Sequence, residues 1–132
     1  MTSNQPAPAR LDGLLLEVPA LAGAAARLAA GGEAGRLAVA RPAWSFVLAA
    51  LARASDRALL AVCPEDDEAR DLALELEAIL GRAAVALYPS RGVPLAGPVG
   101  AAPHLVGQRA RALASAERPA TVVVAGAPAL AE

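Results

Sequence analysis

The most chemically loaded stretch of the chain is Glu65-Asp66-Asp67-Glu68, four carboxylates in a row behind an apolar run. Adjacent carboxylates are the raw material of a divalent-cation site or of a general acid–base pair. Their place just ahead of a helical pattern gives a plainer reading, a solvated helix start. Acids in a first turn complement the positive end of the helix dipole, each for about 0.3–1 kcal/mol. The one cysteine, Cys63, closes the apolar run before them. A catalytic thiolate needs a base beside it, and the only histidine, His104, is far along the chain, so Cys63 reads as a small buried residue at a strand end. His104 follows Pro103 and reads as a surface or capping residue of a helix start. Ser90, in Tyr88-Pro89-Ser90-Arg91, has no histidine near it and reads as a turn residue. Arg109 and Arg111 are of the type that meets phosphate or an acidic partner, but on a chain of net charge −1 they read as ordinary solvated helix charges. No catalytic, cofactor-binding or metal-binding residue is therefore assigned from the sequence.

All twelve basic residues are arginine. Without lysine there is neither a phosphate loop of the Walker type nor a Schiff-base lysine. Gly31-Gly32-Glu33-Ala34-Gly35 has the look of a glycine-rich loop, but it precedes an apolar run where a dinucleotide fingerprint would follow one. The near-neutral charge gives no field that would draw the chain onto nucleic acid or an anionic membrane.

The elements that must position these residues are legible as periods. Residues 58–63 form a continuous apolar run, residues 83–87 form a second, and the segment between them is helical. In it Ala69, Leu72, Ala73, Leu76, Ile79 and Leu80 recur at three and four, a single buried stripe. This is a βαβ unit in 58–89, with Gly81 as the helix stop. Further apolar runs at 36–40 and 120–125 predict two more strands. Because none of the four alternates, they predict a mostly parallel sheet covered on both faces. Helices are expected from Pro19 to Leu28, closed by Gly31-Gly32, with Asp12 capping a short segment before it. Another is expected from Arg41-Pro42 to Ser55-Asp56, with Trp44, Val47, Leu48 and Leu51 on one face, and another from Pro103 to about Glu117, suggested by the recurrence of Leu105, Val106, Arg109, Ala110 and Leu113. Residues 90–103, rich in Gly and Pro, predict a long loop.

Residues 1–10 read as a disordered leader, 11–34 as a helical lead-in and 35–132 as one α/β domain. A final helix starts only a few residues before Glu132, so the domain reads as incomplete at its C-terminus. Hydrophobic residues make up 56% and aromatics 2%, which gives a core of Leu, Val and Ala. No apolar run reaches the length of a membrane span, and the polar N-terminus has no signal-peptide pattern. A cytoplasmic location with no membrane partner is expected.

Several stretches together resemble one family. They are Pro64 leading into Glu68-Ala69-Arg70-Asp71-Leu72-Ala73-Leu74-Glu75-Leu76; the exit Leu87-Tyr88-Pro89; Val93-Pro94; Pro103-His104-Leu105-Val106-Gly107-Gln108-Arg109-Ala110-Arg111-Ala112-Leu113; and Thr121-Val122-Val123-Val124-Ala125-Gly126-Ala127-Pro128-Ala129-Leu130. Over about residues 35–132 the chain is similar to the amino-terminal, UvrB-like region of bacterial transcription-repair coupling factor (Mfd). Ser90-Arg91-Gly92 and Gly100-Ala101-Ala102 depart from that family's pattern. The resemblance implies a three-layer sandwich of the RecA/UvrB domain-1 type. It implies a parent protein that is an ATP- and Mg-dependent double-stranded DNA translocase, displacing stalled RNA polymerase and recruiting UvrA for nucleotide excision repair. For this segment it implies a non-catalytic scaffold with no cofactor. UvrB carries a working nucleotide loop after its first strand, whereas residues 40–45 here match the version that has lost it. The alternatives are a truncated Rossmann- or flavodoxin-like nucleotide-binding enzyme domain and a freestanding interaction domain.

Overall fold

The structure, a computed structural model, describes residues 7–91 and 102–132. Most of the expected 90–103 loop and the first residues of the expected leader thus lie outside the described residues. In chain order the elements are α1 (Ala7–Leu15), α2 (Pro19–Ala29), α3 (Trp44–Ser55), β1 (Leu59–Cys63), α4 (Asp66–Leu80), β2 (Val85–Tyr88), α5 (Pro103–Ser115), β3 (Val122–Gly126) and α6 (Ala127–Ala131).

The sheet is parallel throughout and runs β1-β3-β2. Leu59 lies opposite Val122 and Cys63 opposite Gly126, while on the other side Val85 pairs with Val122 and Tyr88 with Ala125. The βαβ unit exists, but its two strands are not neighbours. β3 enters between them, so the last strand in sequence is the central one. Its five residues are all buried, as a parallel strand with neighbours on both edges should be.

The helix stripe on α4 is as the sequence predicts. Ala69, Leu72, Ala73 and Leu76 are buried, and Ile79 and Leu80 pack beside them. They meet Ala61, Cys63, Val85, Val122 and Val124 of the sheet together with Ala49 and Ala52 of α3. Leu72, Leu76, Val122 and Val124 are the largest fully enclosed side chains. Truncating either leucine to alanine is expected to cost about 2–5 kcal/mol.

Several expectations are corrected. Residues 36–40 join no strand. Leu37 and Val39 turn half-buried toward Leu21, Ala24, Val47 and Leu51, so their apolar character serves helix packing and not a ladder. The Trp44–Leu51 face is split between two clusters: Trp44 and Leu48 meet the sheet core, while Val47 and Leu51 meet α2. Asp12 does not cap a following helix. It lies within α1, buried, and pairs with Arg53 of α3. The first helix begins at Ala7, inside the stretch read as a leader. Coverage on both faces holds for β3 but not for β1, where Leu60 is 57% exposed. The residues that announce α5 do not share one face: Leu105 and Arg109 are half-buried with Arg109 over Tyr88 of β2, Val106 and Leu113 are exposed, and the fully buried positions are Ala112 and Ser115.

Two stops are as the residues dictate. Gly31 takes φ +78° after α2, with its N–H donating to the Leu28 carbonyl at 3.0 Å. Asp56 ends α3 in the left-handed region at φ 51°.

Candidate functional site

At the carboxyl ends of the strands, where open α/β folds bind ligands, three elements converge. β2 ends in Tyr88 and continues through Pro89, Ser90 and Arg91. α5 crosses beside β2 and brings Arg109 over the Tyr88 ring, 4.2 Å from its centroid. β3 runs into α6, which delivers Glu132 to the same place.

The geometry is that of a gripped carboxylate. The Ser90 hydroxyl donates to Glu132 Oε1 at 2.5 Å, and the Arg91 N–H donates to Oε2 at 2.7 Å. Arg109 Nη1 donates to Oε2 at 3.1 Å and also to the Pro89 carbonyl at 3.0 Å. The Arg109 side chain is only 12% exposed. The Ser90 hydroxyl and then the Arg91 N–H hold the Glu132 carboxyl below its ordinary range; burial opposes them, and Arg109 adds to the lowering. A cavity of about 810 Å³ opens beside this cradle, with Asp66, Arg70, Gln108 and Gly126 among its walls.

The residues singled out in the sequence are scattered by comparison. Of the acidic cluster, Asp66, Asp67 and Glu68 occupy the first turn of α4. Glu65, at the cap position, makes no side-chain capping bond. The cluster acts through charge near the helix end and not as a capping group. Asp67 forms an exposed pair with Arg70 at 2.8 Å. Cys63 is 3% exposed beneath α4. Burial pushes its thiol up from the ordinary value; Glu68 adds to that and Arg41 opposes it. His104 is exposed on the first turn of α5, whose start carries no side-chain cap. Arg111 lies on the opposite side of α5 from the cradle, in a cleft with Arg82 and Arg118. The glycines at 31–35 shape a turn beneath Arg57, which donates to the Ala29 carbonyl at 3.0 Å.

Residues 40–45 form a tight 3-10 turn at Arg41–Ala43 that enters α3. The Trp44 indole N–H donates to the Val39 carbonyl at 2.9 Å. Arg41 lies 5.0 Å over the Trp44 ring and 3.3 Å from the Glu75 carboxylate. The turn is thus filled by its own side chains.

Arg109 is the residue misread from the sequence, as a solvated helix charge. Its i−4 neighbour Leu105, half-buried, marks the inward side of α5, and that was the available signal. Nothing in spacing joins Tyr88, Ser90, Arg109 and Glu132. Among the described residues no group of three or more His, Cys, Asp or Glu is placed to hold a metal ion, and no helix is long and apolar enough to cross a membrane. Chemically the cradle is a set of donors closed on one carboxylate, that of Glu132. Neither Cys63 nor His104 lines it.

No family model, curated protein or solved structure matches the chain.

Proposed function

We propose that this chain is a non-catalytic α/β scaffold segment of a transcription-repair coupling factor, resembling the amino-terminal UvrB-like region of that family. The observation that carries the reading is the turn at residues 40–45, which enters α3 although residues 36–40 before it form no strand. A working nucleotide loop offers a row of open backbone N–H groups and a lysine to phosphates. Here Pro42 has no N–H, and the space is taken by Trp44 bonded to Val39 and by Arg41 stacked on Trp44.

Two further observations support it. The helices divide between the sheet faces: α3 and α4 pack on the side of Val122 and Val124, while Ala112 of α5 lies with Leu60, Tyr88 and Val123. That division fits a three-layer arrangement of the RecA type. The order β1-β3-β2, with the last strand central, also counts against the dehydrogenase-like and flavodoxin-like orders, in which a run of three successive strands has its second or its first member in the middle.

In this reading the parent protein is a cytoplasmic, ATP- and Mg-dependent double-stranded DNA translocase that acts on stalled RNA polymerase and recruits UvrA. Motor and partner contacts belong to other segments of the parent. Sequencing the coding frame beyond Glu132 tests it: a UvrB-like interaction region followed by RecA-like motor motifs is expected, and their absence overturns the assignment. Calorimetry of the chain with ATP should give no heat of binding. Micromolar affinity would sink the lost-loop argument.

A further inference from the structure

We propose that Arg109, Ser90 and the Arg91 N–H form a binding site for a small oxyanion, a carboxylate or phosphate head, which Glu132 fills from within the chain. Three donors meet both oxygens of one carboxylate: the Ser90 hydroxyl on Oε1, the Arg91 N–H and Arg109 Nη1 on Oε2. Charge-assisted contacts of this kind are the strong class of hydrogen bond.

The cradle is more than a tether for Glu132 because its charged member is held independently. The Tyr88 ring lies 4.2 Å from the Arg109 guanidinium, and the Pro89 carbonyl accepts from the same guanidinium at 3.0 Å. A planar cation stacked and bonded in this way is ordered before any anion arrives, so little freedom is lost on binding. The Arg91 donor is a backbone N–H, two residues beyond Pro89. Glu132, in contrast, has a side chain that is 25% exposed against 12% for Arg109. The more exposed partner is the anion.

The adjoining cavity of about 810 Å³ leaves room for the body of a ligand. Arg70 and Gln108 on its walls offer further donors. Asp66 on the same wall repels a second negative group, so the site suits an anion with one charged head and not a polyphosphate. The inference rests on no part of the coupling-factor reading, and neither outcome below bears on the ATP titration of the native chain.

The test is calorimetric titration of the full chain and of its Glu132→Gln variant with sodium phosphate and, separately, sodium acetate, at constant ionic strength. The Arg91 amide is followed by NMR in parallel. Removing the resident charge should tighten binding of the accepted anion about tenfold or more, the scale of one charge-assisted contact, and the Arg91 resonance should move with occupancy. Arg109→Met in the Glu132→Gln background should abolish the gain. Ser90→Ala, which leaves the stacked guanidinium in place, should weaken it severalfold. Response to phosphate alone assigns a phosphate head, and response to acetate alone a carboxylate. The assignment is overturned if neither anion binds Glu132→Gln more tightly than the native chain, or if binding survives Arg109→Met unchanged.

Discussion

Gly126 and Asp66 touch backbone to backbone. A Cβ placed on Gly126 would lie 3.0 Å from both the Cα and the N of Asp66, and closer still to its carboxylate. β3 ends where α4 begins, and only a residue without a side chain lets the two meet. Gly126→Ala should push the first turn of α4 off the sheet and destabilise the fold by about 1–3 kcal/mol. Urea denaturation of the variant reads this directly, and an unchanged midpoint would mean the contact is not made.

Asp12 and Arg53 give an asymmetric pair. Asp12 is 6% exposed, and its Oδ1 has no hydrogen-bond partner among the described residues. Its other oxygen accepts from Arg53, whose side chain is 37% exposed and also donates to the Ile79 carbonyl at 3.1 Å. Removing the arginine strands a buried carboxylate, whereas removing the aspartate leaves a guanidinium that water can reach. Arg53→Met is expected to cost about 3 kcal/mol and Asp12→Ala about 1 kcal/mol. Chemical denaturation of both variants ranks them, and equal losses would contradict the burial argument.

The α4 stripe and the α2 stop were legible because each is local. A three-and-four repeat or a glycine after a leucine run needs no knowledge of the rest of the chain. The order of the strands was not, because nothing in 120–125 says that it inserts between 58–63 and 83–87. The apolar run at 36–40 misled for a related reason. Leu37 and Val39 alternate inward as a strand would, yet the surface they meet is made by α2 and α3. The cradle escaped the sequence most completely, since Arg109 reaches its partners 20 and 23 residues away, and Arg91 and Ser90 reach Glu132 across 41 and 42. Only the fold makes those residues neighbours.

Cys63 should behave as a core residue in solution. Desolvation, with Glu68 adding and Arg41 opposing, raises its thiol above the ordinary value of 9.0. The native state then holds the proton to higher pH than the unfolded chain does. Stability is whole below that value and declines as pH rises through it. A disulfide reagent at pH 8 should modify Cys63 at the rate of unfolding, and fast modification of the folded chain would place the thiol at the surface. Cys63→Ala should remove the alkaline decline while costing about 1 kcal/mol for the small void.

Glu132 sets the opposite limb. The Ser90 hydroxyl, the Arg91 N–H and Arg109 together depress its carboxyl below the ordinary value of 4.5. A carboxyl with a folded value below its unfolded one adds stability that is fully present above the unfolded value. That stability is lost as pH falls through the folded value. The contribution is therefore constant at neutral pH and disappears in acid, below about pH 4.5. Glu132→Gln keeps the shape but carries no titrating proton, so its stability should fall less steeply than that of the native chain as pH drops from 5 toward 3, roughly the window in which an exposed carboxylate titrates. Urea midpoints at a series of pH values make the comparison. If native and variant lines run parallel through that window, Ser90, Arg91 and Arg109 do not hold the Glu132 carboxylate in solution.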